Sequence, residues 1–156
     1  WVLTKCHHLN IMIVNKNISI MLVRGVKLMD LNFAEVEEYL SNVKKAVKEG
    51  RYEIERNANR EANSMLFRNY LISEEDAKKI IYNLTPMDFS EAVRNRKPQY
   101  ADEILYIFGK EVKLLERYGD AEKEIELYIK FKKESNDYVI VISFHEAKYP
   151  VKKYFH

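Results

Sequence analysis

What this chain has least of is cysteine, proline and glycine: one, three and four residues among 156. The lone thiol, Cys6, excludes a disulfide framework and any zinc site built on cysteine pairs, and it suits a reducing cytoplasm. So little glycine and proline leaves no long flexible linker between separate domains. No internal repeat and no low-complexity tract is present. Long apolar runs are missing as well. The opening apolar stretch is broken by Asn15-Lys16-Asn17, which is too interrupted for a membrane span. It also lacks the clean apolar segment and small-residue cleavage site of a signal peptide. Charge of one sign is the last absence. There are 26 basic and 24 acidic residues, a net charge of +2. The strong basic field of many nucleic-acid binders is therefore not there, and any contact with nucleic acid must use a local patch.

What is present suffices for one domain with a real core. Residues 1–28 carry Lys5, Lys16, Arg24 and Lys27 and no acid, so the remainder is slightly acidic. This opening stretch differs in character from the rest. It begins with Trp1 and holds Cys6-His7-His8. We read it as an extension derived from upstream sequence, with Met29 as the natural start and 29–156 as a single domain. The other reading is a genuine strand-like extension over Ile18 to Val23. Neither reading makes Cys6-His7-His8 a metal site.

The body reads as helices first and strands last. Asn32 followed by Glu35 is a capping box, and Val36, Tyr39, Leu40, Val43 and Val47 follow helical spacing up to Gly50. Arg51 to Glu55 is a short strand or extended link. Asn57 to Tyr70 is a second helix. Ser73 caps a third, Glu74 to Asn83, whose first turn is acidic where the helix dipole favours anions. Thr85-Pro86 opens a short turn or helix running to about Val93. Arg94-Asn95-Arg96-Lys97 is a local basic cluster, and as a solvated loop it would need no function. Glu103 to Val112 is apolar enough for a strand buried on both faces, with a bulge expected at Gly109. Lys113 to Lys123 reads as a charged connection turning at Gly119-Asp120. The tail, Lys148 to His156, is basic and aromatic, and Pro150 ends the preceding strand.

The most informative stretch is Glu124 to Ala147, two antiparallel strands joined by Ser135-Asn136-Asp137. Ile125, Leu127, Ile129 and Phe131 alternate with Tyr128, Lys130 and Lys132. After the turn, strict alternation puts Ile140, Ile142 and Phe144 on one face and Val139, Val141, Ser143 and His145 on the other. Tyr128, Lys130, Ser143 and His145 then meet on one open sheet surface. They supply a donor, a fixed cation and the side chain whose ordinary titration lies near neutrality. Acid, base and charge stabilisation are what cleavage of an RNA phosphodiester by its own 2′-hydroxyl requires. The nucleophile is in the substrate, so no metal and no cofactor is needed. The same surface would equally serve a protein that binds single-stranded RNA or another protein without chemistry.

From Val36 to Glu146 the chain resembles the MqsR family of toxins from bacterial toxin–antitoxin pairs. The marks are Val43-Lys44-Lys45-Ala46-Val47-Lys48-Glu49-Gly50, then Leu84 and Asp88-Phe89, then Tyr128-Ile129-Lys130, then Val141-Ile142-Ser143-Phe144-His145-Glu146. The resemblance implies an α+β fold of RelE-like type, with N-terminal helices packed on a small C-terminal antiparallel sheet. It implies a cytoplasmic endoribonuclease that cuts single-stranded mRNA without the ribosome and is silenced by a cognate antitoxin. It puts the family's catalytic tyrosine on Tyr128 and its following lysine on Lys130. His145 replaces the family's lysine after Ser-Phe. Two departures set carboxylates where the family has other groups: Glu91 stands for a lysine, and Glu103 falls near an expected glutamine. Lys110, or Arg94, Arg96 and Lys97, would then supply the missing positive charge, with Ser143 as a further contact to RNA. His145, Tyr128 and Lys130 are the expected catalytic set.

Overall fold

The structure, a computed structural model, describes residues 29–156. The expectations for residues 1–28, including Cys6-His7-His8 and the strand at Ile18 to Val23, lie outside the described residues. Among the described residues the fold mixes three α-helices with one five-stranded sheet. The helices are α1 (Phe33–Lys48), α2 (Glu61–Asn69) and α3 (Glu74–Tyr82). The strands are β1 (Tyr52–Ile54), β2 (Phe89–Arg94), β3 (Ile104–Leu115), β4 (Glu122–Lys133) and β5 (Val139–Glu146). Strand order is β1-β5-β4-β3-β2.

Local chemistry explains the helix ends. Asn32 Oδ1 accepts from the Glu35 N–H at 2.9 Å while the Glu35 carboxylate accepts from the Asn32 N–H at 2.7 Å. Ser73 and Asp76 form the same reciprocal pair on α3. Each arrangement satisfies donors that the first turn leaves without partners. After α1 the chain turns at Gly50, whose φ of 73° a side chain would oppose.

The three helices cover one face of the sheet. Val36, Leu40 and Val43 of α1, Leu66 of α2 and Ile81 of α3 share a core with Phe108, Leu127, Ile129, Phe131 and Phe144 of the strands. Tyr39 lies flat on Tyr106, ring centroids 3.6 Å apart.

The structure corrects several expectations. The sheet is mixed: β1 runs parallel to β5, Tyr52 opposite Val139, while the other neighbours are antiparallel. The stretch after Pro86 is helical only to Asp88, and Phe89 to Arg94 is strand β2. Phe89 and Ala92 are three apart and would fall on opposite faces of a regular strand, but β2 is bulged between Phe89 and Glu91, so both reach the core. Lys113 to Lys123 is largely strand, because β3 and β4 stay paired out to Leu115 and Glu122. Gly109 marks no bulge, since the β3–β4 register is continuous through it.

Bulges lie in β2, between Phe89 and Glu91, and in β5. Pairing runs Phe131 to Val141 and then Lys130 to Ser143, so Ile142 is the extra residue. One inserted residue reverses the facing of everything on one side of it. Val139 and Val141 are therefore in the core with Phe144, whereas Ile140 and Ile142 line the open face. This is the opposite of strict alternation for the first half of β5.

Candidate functional site

The bulge leaves the second half of β5 with its side chains correctly aimed for a site. His145 pairs with Tyr128, and Ser143 with Lys130, across the β4–β5 ladder. The Tyr128 and His145 rings stack with centroids 5.4 Å apart and planes 22° apart. Lys130 Nζ sits 5.4 Å from the Tyr128 ring centroid. The expected trio is thus brought together on the face away from the helices.

What holds this end of β5 is a residue that pattern reading missed. Strand β1 stops at Ile54, so the edge of β5 beyond Val141 has no strand beside it. Asn63 of α2, 1% exposed, takes over there. Its amide donates to the Glu55 carbonyl at 2.7 Å and the Ile142 carbonyl at 3.0 Å, and its Oδ1 accepts from the Phe144 N–H at 2.9 Å. One side chain thereby satisfies the backbone that the bulge and the short strand expose. An asparagine amid polar residues on a helix carries no sign of such a role in sequence.

Each member of the trio has a distinct electrostatic setting. Burial pushes the Tyr128 phenol up to about 12, with Glu91 adding to the rise and Arg96 opposing it. Tyr128 is therefore a neutral hydrogen-bond donor and a poor base. Burial lowers the Lys130 ammonium below the ordinary lysine value, Arg60 and Arg96 lower it further, and Glu91 partly restores it. Lys130 has no carboxylate within salt-bridge distance among the described residues. A half-buried cation repelled by two guanidinium groups has most to gain from a bound anion. The His145 Nδ1 lies 2.9 Å from the Glu146 carbonyl oxygen. A carbonyl only accepts, so Nδ1 carries the hydrogen and Nε2 is left to exchange a proton.

Two concavities flank the trio. One, of about 780 Å³, has Leu105, Ile107 and Ile142 in its floor and Arg60, Arg96, Lys97 and Lys130 among its walls. Arg94 lines it too, with Nη1 3.5 Å from the Ala101 carbonyl oxygen. The basic cluster of the loop after β2 is thus aimed at the expected site. The second concavity, of about 690 Å³, lies between Tyr128, His145 and the C-terminal tail. Glu91, Ile107 and Tyr128 belong to both.

Two expected contacts to RNA are placed elsewhere. Lys110 stands opposite Leu127, on the helix side of the sheet, where its Nζ pairs with Asp88 at 2.9 Å. Sheet alternation separates it from Lys130, so it cannot serve the same surface. Ser143 is 6% exposed, pairs with Lys130 and lines neither concavity, so it offers no contact surface. The two carboxylate departures also resolve differently. Burial alone would raise the Glu103 carboxyl, but hydrogen bonds from Lys132 and Asn95 hold it below the usual range. Its charge is matched by Lys132 at 2.8 Å. Glu91 has no cation within salt-bridge distance among the described residues, and it opens onto both concavities.

No protein family, no curated protein and no solved structure matches this chain. Among the described residues no group of three or more His, Cys, Asp and Glu side chains is placed to hold a metal ion. No helix among them is long and apolar enough to cross a membrane. What the arrangement offers is a cation lacking a carboxylate partner, a neutral phenol and two groups able to exchange protons, His145 and Glu91, at the junction of a basic groove and an apolar one.

Proposed function

We propose that the chain is an endoribonuclease that cuts single-stranded RNA by attack of the substrate's own 2′-hydroxyl, without a metal. The observation that carries this reading is Lys130, a half-buried ammonium with no carboxylate partner among the described residues, set beside the Tyr128–His145 stack. A phosphodiester seated there would neutralise Lys130 and accept a hydrogen bond from the Tyr128 phenol. Glu91 takes the proton of the 2′-hydroxyl as the 2′-oxygen forms its bond to phosphorus. The bond to the 5′-oxygen breaks, and His145 Nε2 gives that oxygen a proton. The products are a 2′,3′-cyclic phosphate and a free 5′-hydroxyl. Two proton carriers are needed, and Tyr128 is too weakly acidic to be the base.

The resemblance to MqsR toxins supports a more specific version. In it the chain is the toxin of a type II pair with RelE-like packing, acts on mRNA in the cytoplasm without the ribosome, and is held silent by a cognate antitoxin. A second reading has one observation in its favour: Glu55, Glu91 and Glu103 stand among the cations of the groove, which weakens its field. Under that reading the face binds RNA or a protein without chemistry.

A cleavage assay on long single-stranded RNA in EDTA separates the two. The wild-type chain should cut and leave cyclic phosphate ends. His145→Ala should lose roughly 10²–10⁴-fold in rate with an unchanged circular dichroism spectrum. Equal activity of both proteins, or none in either with or without ribosomes, rejects the ribonuclease reading.

A further inference from the structure

The chain does not leave the sheet when β5 ends. It bends at Lys148 and Tyr149 and runs back over the open face, across β4 and β3, to the outer edge of β2. The Val151 N–H donates to Glu126 Oε2 at 2.8 Å, and Lys153 Nζ donates to the Gly109 carbonyl at 2.6 Å and to Glu126 Oε1 at 2.9 Å. The Tyr154 N–H donates to the Phe89 carbonyl at 2.8 Å. Phe155 then packs edge-on against Phe33, centroids 5.3 Å apart. This tail walls the second concavity, opposite the Tyr128–His145 stack.

That concavity differs in kind from the basic groove beside it. Its lining is mostly apolar and aromatic, and its volume of about 690 Å³ is within the range that holds small organic ligands. Tyr149 stands at its rim, 82% exposed, where a planar group is free to stack on it. Lys148 and Lys152 line it without a carboxylate partner among the described residues. Aromatic surface beside Lys148 and Lys152 suits an aromatic anion, held at that end of a cavity whose lining also includes Asp30 and Glu91. A peptide added as an extra strand is disfavoured, because the β2 edge is already taken. The Met29 N–H donates to the Ala92 carbonyl at 3.2 Å, and Tyr154 occupies Phe89.

We infer that this concavity is a nucleobase subsite, with Tyr149 as its stacking platform, holding the base adjacent to the phosphate that Lys130 binds. The inference rests on the ribonuclease reading for the rest of the strand. The basic groove then carries the neighbouring phosphates, and the tail, absent from the trio itself, sets which base is accepted.

The test is binding of uridine 3′-monophosphate and adenosine 3′-monophosphate to the full chain, against ribose 3-phosphate, which has the phosphate and no base. Calorimetry on wild type, Tyr149→Ala and Tyr149→Phe gives the comparison. At least one nucleotide should bind roughly tenfold or more tightly than the baseless phosphate. Tyr149→Ala should erase that preference, and Tyr149→Phe should keep it. Tyr149 is exposed, so neither substitution disturbs the core. Equal binding of nucleotide and ribose phosphate, or a preference untouched in Tyr149→Ala, overturns the subsite. RNA cleavage on the same preparations separates the two claims. Cutting without a base preference overturns the subsite and leaves the ribonuclease. A base preference without cutting upholds the subsite and rejects the ribonuclease.

Discussion

Replacing Gly109 by alanine should loosen the C-terminal tail from the sheet. A Cβ built at Gly109 would lie 2.4 Å from Lys153 Nζ, 2.6 Å from Val151 Cβ and 2.8 Å from Glu126 Oε1. Lys153 and Glu126 present the ends of flexible side chains and can swing aside. Val151 Cβ cannot, because it is one bond from its own backbone. Ordinary carbon contacts need about 1 Å more than the structure provides. Moving β3 would disturb pairing with both β2 and β4, so the tail yields. Its retreat strains or breaks the Val151 and Lys153 hydrogen bonds, each worth about 1 kcal/mol net. The expected loss is about 1–3 kcal/mol, the usual scale of overpacking. Urea denaturation should show a lower midpoint with an unchanged slope. Val151→Gly in the same chain should recover part of the loss, giving a coupling that distant sites do not show. An unchanged midpoint in Gly109→Ala, or strictly additive effects of the two changes, would refute the seating of the tail.

Three further outcomes are expected. Asn63→Ala should cost about 2–4 kcal/mol in thermal or chemical denaturation, since it orphans three backbone groups, each costing about 1–3 kcal/mol less any water that enters. It should also slow RNA cleavage by loosening His145. Glu91→Gln should slow cleavage while the fold persists, and a rate identical to wild type would exclude Glu91 as the base. Lys130→Met should weaken RNA binding yet raise stability at neutral pH. The Lys130 ammonium titrates lower in the fold than the value of 10.5 usual for an exposed chain. Between those two values the unfolded chain holds more protons, so wild-type stability rises with pH across that window, and Lys130→Met should flatten the rise. Denaturation midpoints from neutral to alkaline pH read this directly.

Much of this architecture is local chemistry, and local chemistry is legible in a sequence. The capping boxes at Asn32 and Ser73, the turn at Gly50 and the polar turn at Asp137 follow from what those side chains do to their own backbone. Alternation from Ile125 to Phe131 follows from the two-residue period of a strand. That period was enough to set Tyr128 and Lys130 on one face and to bring His145 opposite. Other features depend on residues far apart in the chain. A bulge is set by how two strands register, so Val139, Val141, Ile140 and Ile142 face opposite to strict alternation. Lys110 looked available because charge is visible in sequence, but the sheet turns it toward Asp88. Glu91 looked like a loss, yet the ladder Glu91–Ile107–Lys130 sets it on the open face, lining both concavities. Gly109 and Asn63 act only through partners tens of residues away, the returning tail and the bulged strand. The helices, the middle of β3, β4 and β5 and the Tyr128–Lys130–His145 face follow from the conformational preferences of neighbouring residues, whereas the full length of β3 and β4 depends on their pairing. Where the bulges fell, which charges were already matched and that the tail closes a second cavity were settled by long-range packing, which selects among the registers that local preference leaves open.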